Sequence, residues 1–248
     1  MNVALIANCA IAPLAFLILC LPALRNPDAR GWVPLIILMS VLDSVATLIP
    51  AYYHQLQPPH VHMNWGGKIL DVAVMLAAAG IFIATKRLTA RDLGLTLKQA
   101  PGTGRAILFV MIPFLLVVAA LSATMFGNAK LPSAEKLWYE ATMPGLAEEL
   151  LWRGILLAIL NRMFADRFRL AGAEIGYGVI AVSLVFGLVH GMQFDDKLAI
   201  QTDWVTALFA LCTGFALAWL RMRTKSLVLP VVLHNATNVI LETVLLMH

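Results

Sequence analysis

Apolar runs of membrane length recur along the whole chain, and no other feature limits its fold as severely. Eight stand out, at roughly 3–24, 33–52, 68–85, 106–126, 141–161, 175–191, 204–220 and 227–247. A helix crossing a bilayer needs about 20 apolar residues. In lipid the backbone must satisfy its own hydrogen bonds, and a helix does so within one segment. The expected fold is therefore all-α, a polytopic membrane bundle of about eight transmembrane helices. The 175–191 and 204–220 runs are short, so one of them is a candidate partial span. The connections reach only about twenty residues and leave no room for a soluble domain, so residues 1–248 read as a single integral-membrane domain. Composition agrees: 13% of residues are charged, against about 25% in soluble domains. The first run lacks a basic leader and contains Asn8 and Pro13, which reads as a retained helix rather than a signal peptide.

Lysine and arginine divide unevenly between the two ends of such a bundle. Thirteen of the 18 fall in alternate connections: Arg25 and Arg30; Lys86, Arg87, Arg91, Lys98 and Arg105; Arg162, Arg167 and Arg169; Arg221, Arg223 and Lys225. The opposite end carries Lys68, Lys130, Lys136 and Lys197. The bias toward the cytoplasmic side predicts both termini outside. The net charge of +4 is thus a topology signal and calls for no nucleic-acid partner. Cys9, Cys20 and Cys212 lie inside apolar runs without Cys-x-x-Cys spacing, and read as small packing residues.

Within the run 141–161 stand Glu148, Glu149 and Arg153. Ionisable groups at membrane depth are costly, face the bundle interior, and mark function by default. Glu149 and Arg153 are four apart and can meet on one helix face. Glu148 lies about 100° round the helix, which leaves it free to act on a water as general base or acid. His190 is bracketed by Gly187 and Gly191, a spacing that admits a close neighbouring helix. His234 and Asn238 share a face, and two N–H donors on one face can hold a developing oxyanion. Alternating helix directions bring Glu148 and His190 to similar depth in the outer half, with His234 deepest and Asn238 one turn further out.

Other polar residues rank lower. Asp43 and Asp71 are counter-ion candidates for Arg153 or liners of a hydrated path, with Asp71 favoured as an interfacial partner of Lys68. His54, His60 and His62 sit in a Pro-containing loop without carboxylates and read as incidental; Tyr52, Tyr53 and Trp65 read as interfacial anchors.

Three motifs then line up. AEELLWRG (147–154) fits Glu-Glu-x-x-x-Arg, FGLVH (186–190) fits Phe-x-x-x-His, and HNATN (234–238) fits His-x-x-x-Asn. In this order on successive apolar runs they resemble the CPBP family of intramembrane proteases (CaaX protease and bacteriocin-processing, or Abi), which includes the type II CaaX prenyl endopeptidases. DLGLTLK (92–98) is similar to a stretch many members carry ahead of the catalytic half. The resemblance spans 68–247, with 1–67 less diagnostic. It implies peptide-bond hydrolysis in the membrane, on a peptide or protein whose C-terminal segment is membrane-associated or lipidated. Glu148 and His190 would activate water, His234 and Asn238 would hold the oxyanion, and Glu149, Arg153 and Phe186 would support them. Metal-independent activation is favoured. A zinc metalloprotease reading with Glu148, His190 and His234 as ligands stays open, although no His-Glu-x-x-His is present.

Prenylated CaaX substrates are met from the cytosol, whereas the charge bias sets this site toward the outside. In a bacterial inner membrane that placement suits trimming the C-terminal anchor or sorting signal of an exported protein. Two other classes were weighed. A proton- or ion-coupled transporter would be expected to show an inverted repeat with broken helices, and none is evident. A non-catalytic immunity or scaffold protein would be expected to have lost a motif residue, and all six are kept. Oligomeric state is not legible.

Overall fold

The computed structural model of the chain describes residues 3–125 and 132–243. Lys130, the last residue of the 106–126 run and the last four of the 227–247 run lie outside them.

Each of the eight apolar runs contributes a helix within its described residues. Helix α1 is Val3–Leu19. Helix α2 is Val33–Tyr52, entered from a turn at Pro27–Arg30 that Asn26 caps. Helix α3 is Trp65–Ala84, capped by the Asn64 side chain on the Gly67 amide. Thr103–Ala106, the π-wound Ile107–Met111 and Ile112–Met125 form α4. A short helix, α5, is Ala134–Glu140. Met143–Glu149, the π-wound Leu150–Leu156 and Leu157–Met163 run on as α6. Strands β1 (Arg167–Leu170) and β2 (Ala173–Gly176) precede α7, Tyr177–Gly191. Strands β3 (Met192–Phe194) and β4 (Ile200–Thr202) precede α8, Trp204–Thr224, and α9 is Val228–Thr243.

Among the described residues, four helices are long and apolar enough to cross a membrane: Pro27–Tyr52, Trp65–Ala84, Thr103–Ala123 and Trp204–Thr224. Helices α1 and α7 are apolar but shorter. Ile18, Ile81, Leu116 and Leu208 are among many aliphatic side chains left exposed, a surface that suits lipid rather than water. Inside, one apolar cluster runs from Phe16 and Ile36 through Met75, Leu151 and Ile155 to Val182, Leu217 and Leu233.

The structure corrects the sequence reading at several edges. Two antiparallel hairpins interrupt the helical pattern. Residues 173–176 pair with 167–170 instead of opening α7, through a two-residue turn at Ala171 and Gly172, both at positive φ. Such a turn matches strand twist. Helix α8 runs to Thr224, past the expected end at 220, so Arg221 and Arg223 are helical and not in a connection. Helix α3 starts at Trp65, which puts Lys68 one turn inside it. Of the cysteines, Cys20 is buried and Cys9 half-buried, but Cys212 is exposed.

The basic connections gather at one end and tie to one another. Arg162 pairs with Asp92 at 3.0 Å, and Arg221 donates to the carbonyls of Arg91 and Asp92. Arg223 donates to the Pro101 carbonyl, and Lys225 pairs with Glu174 at 3.0 Å. At the far end Asn8 holds Phe194, and Glu135 accepts the His62 and Met63 amides and the Trp65 indole N–H. Trp65 is therefore bound into the protein rather than floating as an anchor.

Candidate active site

Four helices converge on Glu148. Its segment of α6 opens with Met143-Pro144, proline being suited to the first turn of a helix. Gly145 lets that turn touch α9, because any Cβ there would run into the Asn235 side chain. Asn235 accepts the Gly145 amide at 2.8 Å and donates to the Thr142 carbonyl at 3.3 Å. Immediately after Glu149 the helix widens to π-winding for seven residues, Leu150–Leu156, a distortion common at functional sites.

Glu148 Oε1 lies 2.8 Å from Lys68 Nζ on α3, and both side chains are nearly buried. Its Oε2 faces two imidazoles, His190 Nε2 at 4.0 Å and His234 Nε2 at 3.8 Å. The shared depth expected for Glu148 and His190 is present, and His234 joins them. Glu148 is not free, however: Lys68 bonds it, in place of the expected Lys68–Asp71 pair. Lys68, one turn inside α3, reaches across to α6.

Glu149 Oε1 accepts from Arg153 Nη1 and contacts His234 Nδ1, each at 2.8 Å. Glu149 and Arg153 are completely buried. Arg153 Nη2 also donates to the Gly214 carbonyl at 3.2 Å, and its guanidinium lies 4.3 Å from the Phe186 ring centre. Glu149 is thus the counter-ion of Arg153, a place neither Asp43 nor Asp71 takes. Phe186 stacks on His190 at 4.2 Å and meets Trp152 edge-on at 5.3 Å, and Trp152 in turn contacts Phe16 of α1. Ring packing and the bond between His190 Nδ1 and the Phe186 carbonyl, 2.7 Å, fix the imidazole. Helix α8 crosses α7 closely, as the glycine spacing suggested: a Cβ on Gly187 would lie 2.8 Å from Leu211 Cβ.

Asn238 donates to Glu140 Oε2 at 2.8 Å. Sequence reasoning missed Glu140, which lies just ahead of the apolar run, and Lys68, which it put at the interface. It also missed Asn235, the middle asparagine of HNATN. The Glu-Glu pair at 148–149 was the signal that a nearby cation was needed. Asp71 is completely buried with no hydrogen-bond donor on either oxygen among the described residues. Its acidic neighbour is Asp43 of α2.

No three His, Cys, Asp or Glu side chains among the described residues stand at metal-holding separations. Of the Glu148, His190 and His234 set, one Glu148 oxygen is held by Lys68 and the other faces the two imidazoles.

The motifs sit inside a matched family segment. Residues 130–240 are Rce1-like. The matching family model is described as type II CAAX prenyl endopeptidase Rce1-like, and it covers a little under half of the chain. This bears out the resemblance read from the three motifs, all of which the match contains. The family is one of CAAX-type membrane peptidases. Lys68, Asp43, Asp71 and Asn8 lie outside the Rce1-like segment. No curated protein and no solved structure matches the chain.

A polar cavity of about 350 Å³ opens directly on His190, walled by Gln193, Gln201, Thr202 and Thr206. A larger apolar cavity of about 590 Å³ lies between α3, the 94–97 loop, α6 and α9. Its α6 residues, Leu146 and Leu150, share the helix face turned away from Glu148.

Proposed function

We propose that the chain is an eight-span intramembrane endopeptidase, and that 1–248 is a single membrane domain with its catalytic part in 68–247. The observation that carries this is Glu148 Oε2, half-buried and facing two imidazole Nε2 atoms at 3.8 and 4.0 Å. Those separations are too long for direct bonds and suit a water that bridges the groups. Glu148 takes a proton from that water as it attacks the scissile carbonyl, with His190 orienting it, and later returns the proton to the departing amine. Lys68 holds Glu148 in place.

The oxyanion falls to His234 and Asn238. Glu149 accepts from His234 Nδ1, so a neutral His234 presents the lone pair of Nε2, and it donates there only as imidazolium. Asn238 has a second amide N–H beyond the one given to Glu140. No step requires a metal.

The substrate is a peptide whose C-terminal segment is membrane-associated or prenylated. Both termini lie outside and the knotted basic end in the cytoplasm, as in a bacterial inner membrane, which favours an exported protein's C-terminal anchor. A proton-relay reading draws on the Asp43–Asp71 contact beside Lys68. It expects proton flux that survives Glu148→Ala poorly and leaves peptides uncut.

The test compares membrane-protein C-termini in cells carrying wild type, Glu148→Ala or no protein. A set of C-termini trimmed only by wild type is expected, with cleavage in vitro falling at least about 10²-fold in Glu148→Ala and His190→Ala. Identical wild-type and Glu148→Ala profiles, with both proteins folded, would refute the proposal.

A further inference from the structure

Strand β3 starts two residues after His190, so the second hairpin hangs directly over the site. Its register pairs Met192 with Thr202, Gln193 with Gln201 and Phe194 with Ile200. The bonds Asp203 N to Gly191 O and Asp195 N to Ala199 O fix which pairs bond inward. Residues 191, 193 and 195 bond 203, 201 and 199. In an antiparallel ladder the alternate residues turn their N–H and C=O outward. These are Met192 and Phe194 on β3, and Ile200 and Thr202 on β4.

The two outer edges are treated differently. On β3, the Met192 N–H is used by the Leu188 carbonyl. Phe194 is held by Asn8 of α1, whose Oδ1 accepts its N–H at 2.7 Å and whose Nδ2 donates to its carbonyl at 3.1 Å. A side-chain amide there stands in for a neighbouring strand. On β4, Ile200 and Thr202 are exposed, and their outward N–H and C=O groups have no partner among the described residues. This open edge borders the polar cavity in which Thr202 and Gln201 share a wall with His190. An open edge is a template for another extended chain.

We infer that β4 is the substrate-docking edge: the peptide to be cut lies extended along Ile200–Thr202 as a third strand, and its next residues are delivered past His190 to Glu148. The inference rests on the peptidase reading. Main-chain pairing of this kind gives affinity with little dependence on side chains. It also holds the scissile region extended, where a helical substrate would keep its carbonyls bonded internally.

A farnesylated, fluorescence-quenched Cys-aliphatic-aliphatic-X peptide with a ten-residue upstream extension, presented in detergent micelles, provides the probe. Proline at Ile200 or Thr202 removes an outward N–H without touching the hairpin's own bonds. Each of Ile200→Pro and Thr202→Pro is expected to raise KM about three- to tenfold, with kcat nearly unchanged. Replacing single amides of the peptide by esters is expected to raise KM of the wild-type enzyme at alternate positions only, a readout that needs no protein variant. In Glu148→Ala, excess peptide is expected to slow amide exchange at Ile200 and Thr202.

Unchanged KM for both proline variants, together with no alternation in the ester series, would overturn the docking edge and leave the peptidase reading standing. Hydrolysis of the peptide by Glu148→Ala at the full wild-type rate would instead sink the peptidase reading. Amide exchange then decides the edge by itself: protection of Ile200 and Thr202 supports it, and no protection refutes it.

Discussion

Glu149 and Arg153 form an ion pair with no solvent exposure on either side chain. A buried pair adds little net stability, yet removing one partner strands the other charge at a cost of about 3–5 kcal/mol. Arg153→Met is therefore expected to be strongly destabilised, read as a fall in the unfolding midpoint. Glu149→Leu combined with Arg153→Met should recover most of that loss while remaining inactive, because His234 Nδ1 has lost its acceptor. A double variant as unstable as Arg153→Met would show that the two charges are not one unit. This pair was legible in the sequence because helix geometry alone joins positions four apart. The Lys68–Glu148 bond joins residues 80 apart in sequence. No local pattern records such a contact, and the position of Lys68 at the edge of an apolar run suggested the interface.

At the scale of elements, α7 and α8 pack through Gly187 and Gly191 against Ala207 and Leu211. Gly187→Val overfills that crossing and should cost about 1–3 kcal/mol, while shifting His190 and lowering kcat more than it raises KM. An unaltered kcat would mean that the crossing does not position His190. The loop before α3 is gathered by Glu135. The Met63 and His62 amides and the Trp65 indole hold its carboxyl below the ordinary glutamate range. A depressed carboxyl stabilises above its unfolded pKa and loses that contribution as pH falls through the folded one. Trp65 fluorescence should change on acidification below about pH 4, and Glu135→Gln should show the change already at neutral pH. A flat pH response in wild type would contradict this. Helix positions were readable from hydropathy, whereas the hairpins were not. The β1–β2 turn is Ala171-Gly172, without the Asn-Gly or Asp-Gly signature such turns favour. The strands are only three or four residues long.

Across the whole molecule, the first three helices support a site whose motifs lie in the last four. Phe16 reaches the Phe186–His190 stack through Trp152, Asn8 closes one hairpin edge, and Lys68 grips Glu148. Lys68→Met is thus expected to lower kcat about tenfold or more, although Lys68 lies outside the Rce1-like segment. Lys68→Arg should restore part of the rate. Full activity in Lys68→Met would limit the machinery to the matched segment.

The arginines at the basic end of the bundle carry a further consequence for biogenesis. Arg221 fits against Gly94 and Arg223 against Gly102 and Gly172, three glycines held at positive φ, so each guanidinium is a spacer between loops as well as a charge. The translocon reads positive residues before tertiary structure exists, and the folded chain reads the same two afterwards. Moving charge to re-orient this protein is consequently open at the exposed Arg25, Lys98 and Arg105. It is closed at Arg221 and Arg223, where an edit of the insertion signal would also unlace the folded end.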